Sequence, residues 1–172
     1  ILKRNIGNVG IPFGGKLILA CCLVLFVNGC GSDENSSTGA ASSSTTAKIM
    51  PLGDSITESS AGMPTYRFFL WHLLQNAGYR IDFVGSMEGA HDGRPLDTNF
   101  DMDHEGHWGW RADEVLARLP EWAATASPDI VLLHIGHNDL CQAQPLYSTI
   151  NEISAMIDTL RNRNPGVAIL LA

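Results

Sequence analysis

Short apolar runs alternate with segments of helical periodicity from residue 48 onward. The apolar runs predict four strands, at residues 48–52, 80–85, 129–135 and 167–171. Apolar positions at helical spacing predict three helices, at residues 64–77, 111–125 and 149–164. Residues 87–108 between these elements are predicted to form a long loop. The alternation of strands and helices predicts an α/β domain in which helices cover both faces of a parallel sheet.

The first thirty residues have the pattern of an export signal. An apolar run of eleven residues, 17–27, follows the basic residues Lys3, Arg4 and Lys16. The run is too short to cross a bilayer as a helix. The run ends in Val-Asn-Gly-Cys, which resembles the lipobox of bacterial lipoproteins. We therefore expect residues 1–30 to be a lipoprotein signal with Cys30 as the lipidation site.

The signal would direct export of the protein, and acylation of Cys30 would anchor it to a bacterial membrane, at the outer membrane or cell surface. A similar run ends at Cys21, but almost no apolar core precedes it. The alternatives are a plain secretory signal or a buried helix. Four cysteines are present, and Cys141 is the one that stays free after processing and acylation. We expect it to be a packing residue and not a nucleophile, because no sequence feature lowers its pKa.

Composition separates a linker from a folded domain. Serine and threonine dominate the stretch after Cys30, so we expect residues 31–47 to be a flexible linker and residues 48–172 to be the domain. All eighteen acidic residues follow residue 30, together with eight of the eleven basic ones, a formal net charge of −10. Such a surface repels phosphate, so we expect no nucleic-acid partner and contact with a membrane only through the lipid anchor.

A serine follows the first predicted strand, in the sequence Gly-Asp-Ser-Ile-Thr at residues 53–57. At a tight turn between a strand and a helix, Ser55 would expose its hydroxyl at the edge of the sheet, and its N–H could face a developing oxyanion. The alternative is a simple Asp-Ser turn or helix N-cap. In parallel sheets, ligands bind outside the carboxyl ends of the strands, which is where this serine lies.

Two further segments carry candidate donors for an oxyanion. Gly-His-Asn-Asp at 136–139 follows the strand 129–135, and the Asn138 amide is a neutral N–H donor; the alternative is an ordinary turn. His-Glu-Gly-His-Trp-Gly-Trp at 104–110 precedes the second helix, and Gly109 could present a bare N–H to a substrate oxygen. The alternative for this segment is a loop that closes over the core with both tryptophan rings packed.

Together these motifs resemble the SGNH (GDSL-like) hydrolases. The stretch Asp-His-Glu-Gly-His-Trp-Gly-Trp at 103–110 is similar to the D-H-E-G-H-x-G-W segment of carbohydrate esterase family 3, the acetylxylan-esterase-like branch. The resemblance covers residues 48–172 and implies a flavodoxin-like doubly wound parallel sheet, incomplete after the fourth strand. It also implies a serine esterase with Ser55 as nucleophile, and the Gly109 N–H and Asn138 amide as oxyanion donors. The implied substrates are acetyl esters, on plant polysaccharide such as xylan, or small esters, with no cofactor and no metal.

The sequence departs from the family at the catalytic Asp and His, which come from a D-x-x-H block near the end of the family's domain. We expect both to be absent from this chain. Asp101 to His104 matches D-x-x-H in letters, but it lies in the segment before Gly109, so we interpret it as a chance match. His107 and His137 fall near the predicted site, but no sequence feature favours either as the base.

Two alternative functions remain open at this stage. The chain could be an SGNH lipase, lysophospholipase or thioesterase, or an inactive surface lipoprotein that binds carbohydrate or nothing.

Six acidic residues crowd the predicted loop and could bind Ca²⁺, although they lack EF-hand spacing. The alternative is a solvated acidic loop. The six residues are Glu88, Asp92, Asp97, Asp101, Asp103 and Glu105.

Overall fold

The computed structural model describes residues 45–172. The signal, Cys30 and residues 31–44 of the predicted linker lie outside the described residues, so their predictions stay predictions. The described strands are β1 (Ala47–Gly53), β2 (Ile81–Phe83), β3 (Met87–Glu88), β4 (Asp103–Gly106), β5 (Ile130–His134) and β6 (Ala168–Leu171). The described helices are α1 (Ser55–Glu58), α2 (Tyr66–Asn76), α3 (Ala112–Ala126), α4 (His137–Cys141) and α5 (Leu146–Arg163).

The strands form one sheet in the order β3-β4-β1-β5-β6. Strand β1 pairs in parallel with β5 over its length, from Ile49 opposite Ile130 to Gly53 opposite His134. On its other side, β1 pairs with β2 at its beginning and with β4 at its end. The pairing of β3 with β4 is antiparallel, and the other pairings are parallel. The carboxyl ends of β1, β4 and β5 therefore meet at one edge of the sheet.

Two apolar cores lie on opposite faces of this sheet. One contains side chains of β1 and β5 packed against α3 and α5, such as Leu52, Leu133, Val115 and Met156. The other lies under α2 and includes Ile49, Phe83 and Phe100. The alternation of buried and half-buried residues along β5 follows from the period of two in a strand. The predicted α/β sheet with helices on both faces is confirmed.

The structure corrects the sequence predictions at three places. The predicted loop 87–108 contains β3 and β4, which add two strands to the four predicted. Short helices, α1 and α4, begin within the serine and asparagine motifs, at Ser55 and His137. Cys141 is exposed, so its predicted packing role is wrong. Among residues 45–172, no helix combines the length and hydropathy needed to cross a membrane.

Candidate active site

The turn that carries Ser55 joins β1 to α1. Asp54 is the N-cap of α1, with its Oδ1 accepting the N–H of Ile56 at 2.9 Å and its carbonyl accepting the N–H groups of Thr57 and Glu58 at 3.0 Å. Asp54 is fully buried, whereas Ser55 is half-buried. Asp54 therefore occupies the N–H groups of the three residues after Ser55 and fixes the turn, while Ser55 stays accessible. The N-cap that was the alternative for this motif is present, but Asp54 provides it.

Close packing brings β4 and its loop against this turn. A Cβ on Gly106 would lie 2.6 Å from the backbone nitrogen of Glu58 and 3.0 Å from Thr57, so only glycine allows this approach. One residue later, the His107 N–H donates to the carbonyl oxygen of Gly53 at 3.0 Å. The loop that follows β4 is thus attached to the strand end that carries Ser55.

Gly109 lies in a tight turn within this loop. The Trp110 N–H donates to the His107 carbonyl at 3.2 Å, which closes a four-residue turn with Gly109 in the third position. Its φ of 79° is left-handed, a conformation that glycine adopts without steric cost. The Gln142 side chain donates to the Gly109 carbonyl at 3.3 Å. This hydrogen bond joins the turn to the C-terminal end of α4. The left-handed φ of Gly109 explains why a glycine is needed at this position.

Asn138 reaches the same loop from the other side. Its Nδ2 donates to the Trp110 carbonyl at 2.8 Å, which fixes the plane of the amide. The next residue, Asp139, is fully buried and accepts the N–H of Ala112 at the start of α3, at 3.1 and 3.2 Å, and the hydroxyl of Thr149 on α5. A carboxylate is favourable at the N-terminus of a fifteen-residue helix. Asp139 therefore anchors α4 to α3 and α5, a positioning role that the sequence analysis missed although the residue belongs to the quoted motif.

These contacts bring the three predicted site residues to one loop. Residues 107–110 are hydrogen-bonded to Gly53 at one end and to Asn138 at the other, and Gly109 lies between the two attachments. The turn that carries Ser55, the turn that carries Gly109 and the Asn138 amide thus lie at the carboxyl ends of β1, β4 and β5. An N–H group and an amide beside a serine hydroxyl can stabilise negative charge on a carbonyl oxygen.

Asp101 and His104 have structural contacts instead. The carboxylate of Asp101 accepts the N–H groups of Phe83 and Asp103, at 2.9 and 3.2 Å. His104 is 1% exposed, and its Nδ1 accepts the N–H of Gly106 at 3.0 Å. Burial, followed by the positive charge of Arg67, lowers the pKa of His104 to about 3. The ring is neutral and enclosed, which agrees with the interpretation of this D-x-x-H as a chance match.

The other two candidate bases differ in their surroundings. His107 is stacked on both Trp110 and Trp122, with ring centroids 4.4 and 4.5 Å away, and its Nε2 lies 2.7 Å from Oε1 of Glu105. His137 is exposed, with its Nε2 3.6 Å from the sulfur of Cys141. Within residues 45–172, neither histidine forms a hydrogen bond with the Ser55 hydroxyl. The structure therefore assigns no base to this serine.

A buried arginine, Arg67, joins the end of α1 to other backbone segments by hydrogen bonds. Arg67 is fully buried, and its guanidinium donates to the carbonyls of Thr57 and Glu58 at 3.0 Å, of Met102 at 2.6 Å and of Gly89. Burial lowers the pKa of Arg67 to about 10, so it stays charged at neutral pH. These four hydrogen bonds connect the end of α1 to the segments around β3 and β4. The sequence analysis did not predict this role, because the acceptors are backbone carbonyls of distant segments.

The acidic residues of the predicted loop do not converge. Both oxygens of Glu105, which is fully buried, accept from Ser86, and Glu88 lies 3.8 Å from Arg94. No group of three or more potential metal ligands occurs in the part of the chain that is described. A cavity of about 640 Å³ lies between β2 and α3. Its lining includes Asp82, Glu105, Trp110, Arg118 and Trp122 but not the three predicted site residues.

Comparison with known proteins identifies relatives of this site. A sequence profile of the GDSL-like lipase/acylhydrolase family matches residues 52–172. A multidomain esterase from Ruminococcus flavefaciens is 33% identical over 140 residues, which are 70% of this chain and 18% of that protein.

Solved structures give the same result. A carbohydrate esterase of family 3 from Talaromyces cellulolyticus is 32% identical with a TM-score of 0.63, over 73% of this chain and 60% of that one. The family 3 carbohydrate esterase of Clostridium thermocellum is 39% identical with a TM-score of 0.63, over 74% and 61%. The chain thus spans about 60% of the length of these two structures.

The profile match begins in β1 and includes all three motifs, and the two solved structures share the SGNH hydrolase fold predicted from them. The chain therefore belongs to the GDSL-like lipase/acylhydrolase family, with family 3 carbohydrate esterases among its structural neighbours.

Proposed function

We propose that this chain is the serine esterase part of an enzyme that removes acetyl groups from carbohydrate, with Ser55 as the nucleophile. One observation carries the proposal: residues 107–110 are hydrogen-bonded both to Gly53, beside the nucleophile, and to Asn138. An oxyanion hole needs donors that are fixed before the reaction begins, because donors that must reorient lose much of their effect. The two attachments provide that fixation.

In the proposed reaction, the Ser55 oxygen attacks the acetyl carbonyl carbon, and the carbonyl oxygen becomes negative. The N–H groups of Ser55 and Gly109 and the Asn138 amide donate to this oxygen. One amide hydrogen of Asn138 is engaged by the Trp110 carbonyl, which leaves the second for the substrate. The tetrahedral intermediate collapses and releases the sugar hydroxyl. Water then attacks the acetyl-serine, and acetate leaves.

Ser55 must lose a proton for this attack. In the family, a histidine oriented by an aspartate accepts it, and we expected both to be missing from these 172 residues. In subtilisin, removal of the histidine lowers kcat by about 10⁶-fold, while the oxyanion hole and binding retain roughly 10³-fold to 10⁴-fold acceleration. We therefore propose that these 172 residues bind and polarise the ester but hydrolyse it slowly.

The carbohydrate part of the proposal rests on the relatives at 32% and 39% identity, which are carbohydrate esterases by name. An acetylated polysaccharide such as xylan is the proposed substrate. Export and a lipid anchor at Cys30 would place the domain where such polymers occur, since they are too large to enter a cell.

The nucleophile is tested by labelling the 172-residue chain with a small fluorophosphonate in the presence of imidazole, which supplies a proton acceptor, and by measuring acetate release from acetylated xylan. Ser55→Ala should abolish the label and reduce acetate release to the buffer rate, because the attacking oxygen is gone. Ser60→Ala is the matched control, since Ser60 is also half-buried and lies five residues away. It should behave like the unaltered chain.

Added imidazole tests the proton acceptor. If these residues lack a base, imidazole should increase acetate release from the unaltered chain and not from Ser55→Ala. Equal labelling of the unaltered chain and Ser55→Ala would contradict the proposal. Faster hydrolysis of long-chain acyl esters than of acetyl esters would favour a lipase or thioesterase instead.

A further inference from the structure

Trp108 occupies the corner of the turn that carries Gly109. In the family segment D-H-E-G-H-x-G-W, this position is the variable one, and here it is a tryptophan. Trp108 is 46% exposed, whereas Trp110 and Trp122 are half-buried around His107. The alternative for this segment, a loop with both tryptophan rings packed, holds for Trp110 but not for Trp108. Its indole therefore has surface that a ligand at the loop 107–110 can reach.

The ring of Trp108 is held in place from one side. The His91 imidazole is stacked on it, with centroids 4.5 Å apart and an angle of 15° between the planes. Because His91 covers one face of the indole, the exposed part belongs to the other face and the ring edge. A rigid aromatic ring loses little conformational entropy when a ligand packs on it.

His91 is itself fixed to the segment that follows the nucleophile helix. Its N–H donates to the Ser59 carbonyl at 3.1 Å, and its carbonyl accepts the Ala61 N–H at 2.9 Å. Its Nδ1 lies 3.6 Å from Oε1 of Glu58, whose side chain is buried. The stacked pair of Trp108 and His91, which we call the aromatic platform, therefore connects the Gly109 turn to the end of α1. It borders the proposed site on the α1 side.

We propose that the aromatic platform binds the sugar ring whose hydroxyl carries the ester, an inference that rests on the proposed function. One face of a pyranose ring presents C–H groups that pack on an aromatic ring, while its hydroxyl groups stay in water. The indole supplies a flat apolar surface of matching size. Trp108 directly precedes Gly109 in the chain, so an ester whose carbonyl oxygen meets the Gly109 N–H lies next to the platform. Trp108 thus selects esters of sugars over esters of simple alcohols.

The test measures binding of acetylated xylotetraose to the 172-residue chain by titration calorimetry, and Ser55 labelling by fluorophosphonate. Trp108→Ala should weaken binding by about tenfold, which corresponds to about 1.4 kcal/mol. Trp108→Phe should retain most of the affinity, because an aromatic ring remains. The affinity of His91→Ala should lie between those of Trp108→Ala and Trp108→Phe. Tyr79→Ala is the matched control: Tyr79 is 61% exposed and lies at the opposite end of β1, beside Ala47 and Ile81. It should bind as the unaltered chain does.

The labelling readout, taken with imidazole present as the proton acceptor, separates this inference from the proposed function. Ser55→Ala should lose the label and still bind the oligosaccharide, because the platform does not include Ser55. Absence of labelling in every variant, with binding that still depends on Trp108, would contradict the esterase proposal and support the platform. Unchanged binding in a Trp108→Ala chain with a native circular dichroism spectrum would overturn the platform. Loss of labelling together with binding would also overturn it, because Trp108 would then support the Gly109 turn itself.

Discussion

His104 shows how a single residue can tie stability to pH. The ring is 1% exposed, and burial lowers its pKa from 6.5 to about 3. In the unfolded chain it takes up a proton near pH 6.5, but in the folded chain only near pH 3. Between these values the unfolded state binds more protons, so the free energy of unfolding falls as the pH is lowered.

We expect His104→Asn to flatten this dependence. The Asn oxygen can replace Nδ1 as the acceptor for Gly106, and it does not titrate. Between pH 3 and 6.5 the slope of the unfolding free energy should decrease by up to about 1.4 kcal/mol per pH unit, the value for one proton. Urea denaturation at several pH values measures it. Burial raises the pKa of Asp101 and Asp103, which acts in the opposite direction, so the difference between the two proteins is the informative quantity. Equal slopes would contradict the prediction.

Arg67 is the second residue on which the site depends. Its guanidinium satisfies four carbonyl oxygens that have no access to water. Arg67→Met should reduce the free energy of unfolding by roughly 3–5 kcal/mol, because buried acceptors are left without partners. The free energy of unfolding of Arg67→Lys should lie between those of the unaltered chain and Arg67→Met, because one ammonium group cannot reach all four acceptors.

Chemical denaturation measures these changes, with Arg80→Met as the control at an exposed arginine. A loss of stability in Arg80→Met equal to that in Arg67→Met would show that charge and not the hydrogen bonds matters.

At the scale of elements, the approach of β4 to α1 decides where the loop 107–110 lies. Gly106→Ala places a methyl group 2.6 Å from the Glu58 nitrogen, and backbone on both sides cannot yield easily. We expect a loss of about 2 kcal/mol in unfolding free energy and slower labelling of Ser55, because the loop and the turn that carries Ser55 are forced apart. Gly166→Ala is the matched control, since its new Cβ would meet only the tip of the Asn164 side chain at 3.4 Å. Normal labelling in Gly106→Ala would contradict the expectation.

At the scale of the whole molecule, β6 is an edge of the described sheet and carries exposed leucines. Leu170 and Leu171 are 56% and 54% exposed, and an apolar edge strand is a template for pairing with another chain. Leu170→Lys should therefore reduce self-association, as measured by light scattering against protein concentration, with little change in stability. Ile150→Lys is matched in exposure, at 57%, but lies on α5. A reduction by Ile150→Lys alone would show that a helix face and not the strand edge causes association.

Local pattern predicted the elements because side-chain periodicity is a property of neighbouring residues. The four strands and three helices from the sequence are all present, with ends shifted by a few residues. Strands β3 and β4 were missed because they are short and contain polar residues. Their hydrogen bonds come from distant partners, as when Leu52 of β1 lies opposite Glu105.

The sequence by itself determined the fold class and which residues follow the strand ends, because a serine, glycine or asparagine motif is contiguous in the chain. Only the tertiary structure decided that residues 107–110 bridge Gly53 and Asn138, and that Trp108 is exposed while Trp110 is packed. The physical reason is that burial and hydrogen-bond partners are set by residues far apart in the chain. Two tryptophans separated by one residue therefore receive different environments, which no local pattern encodes.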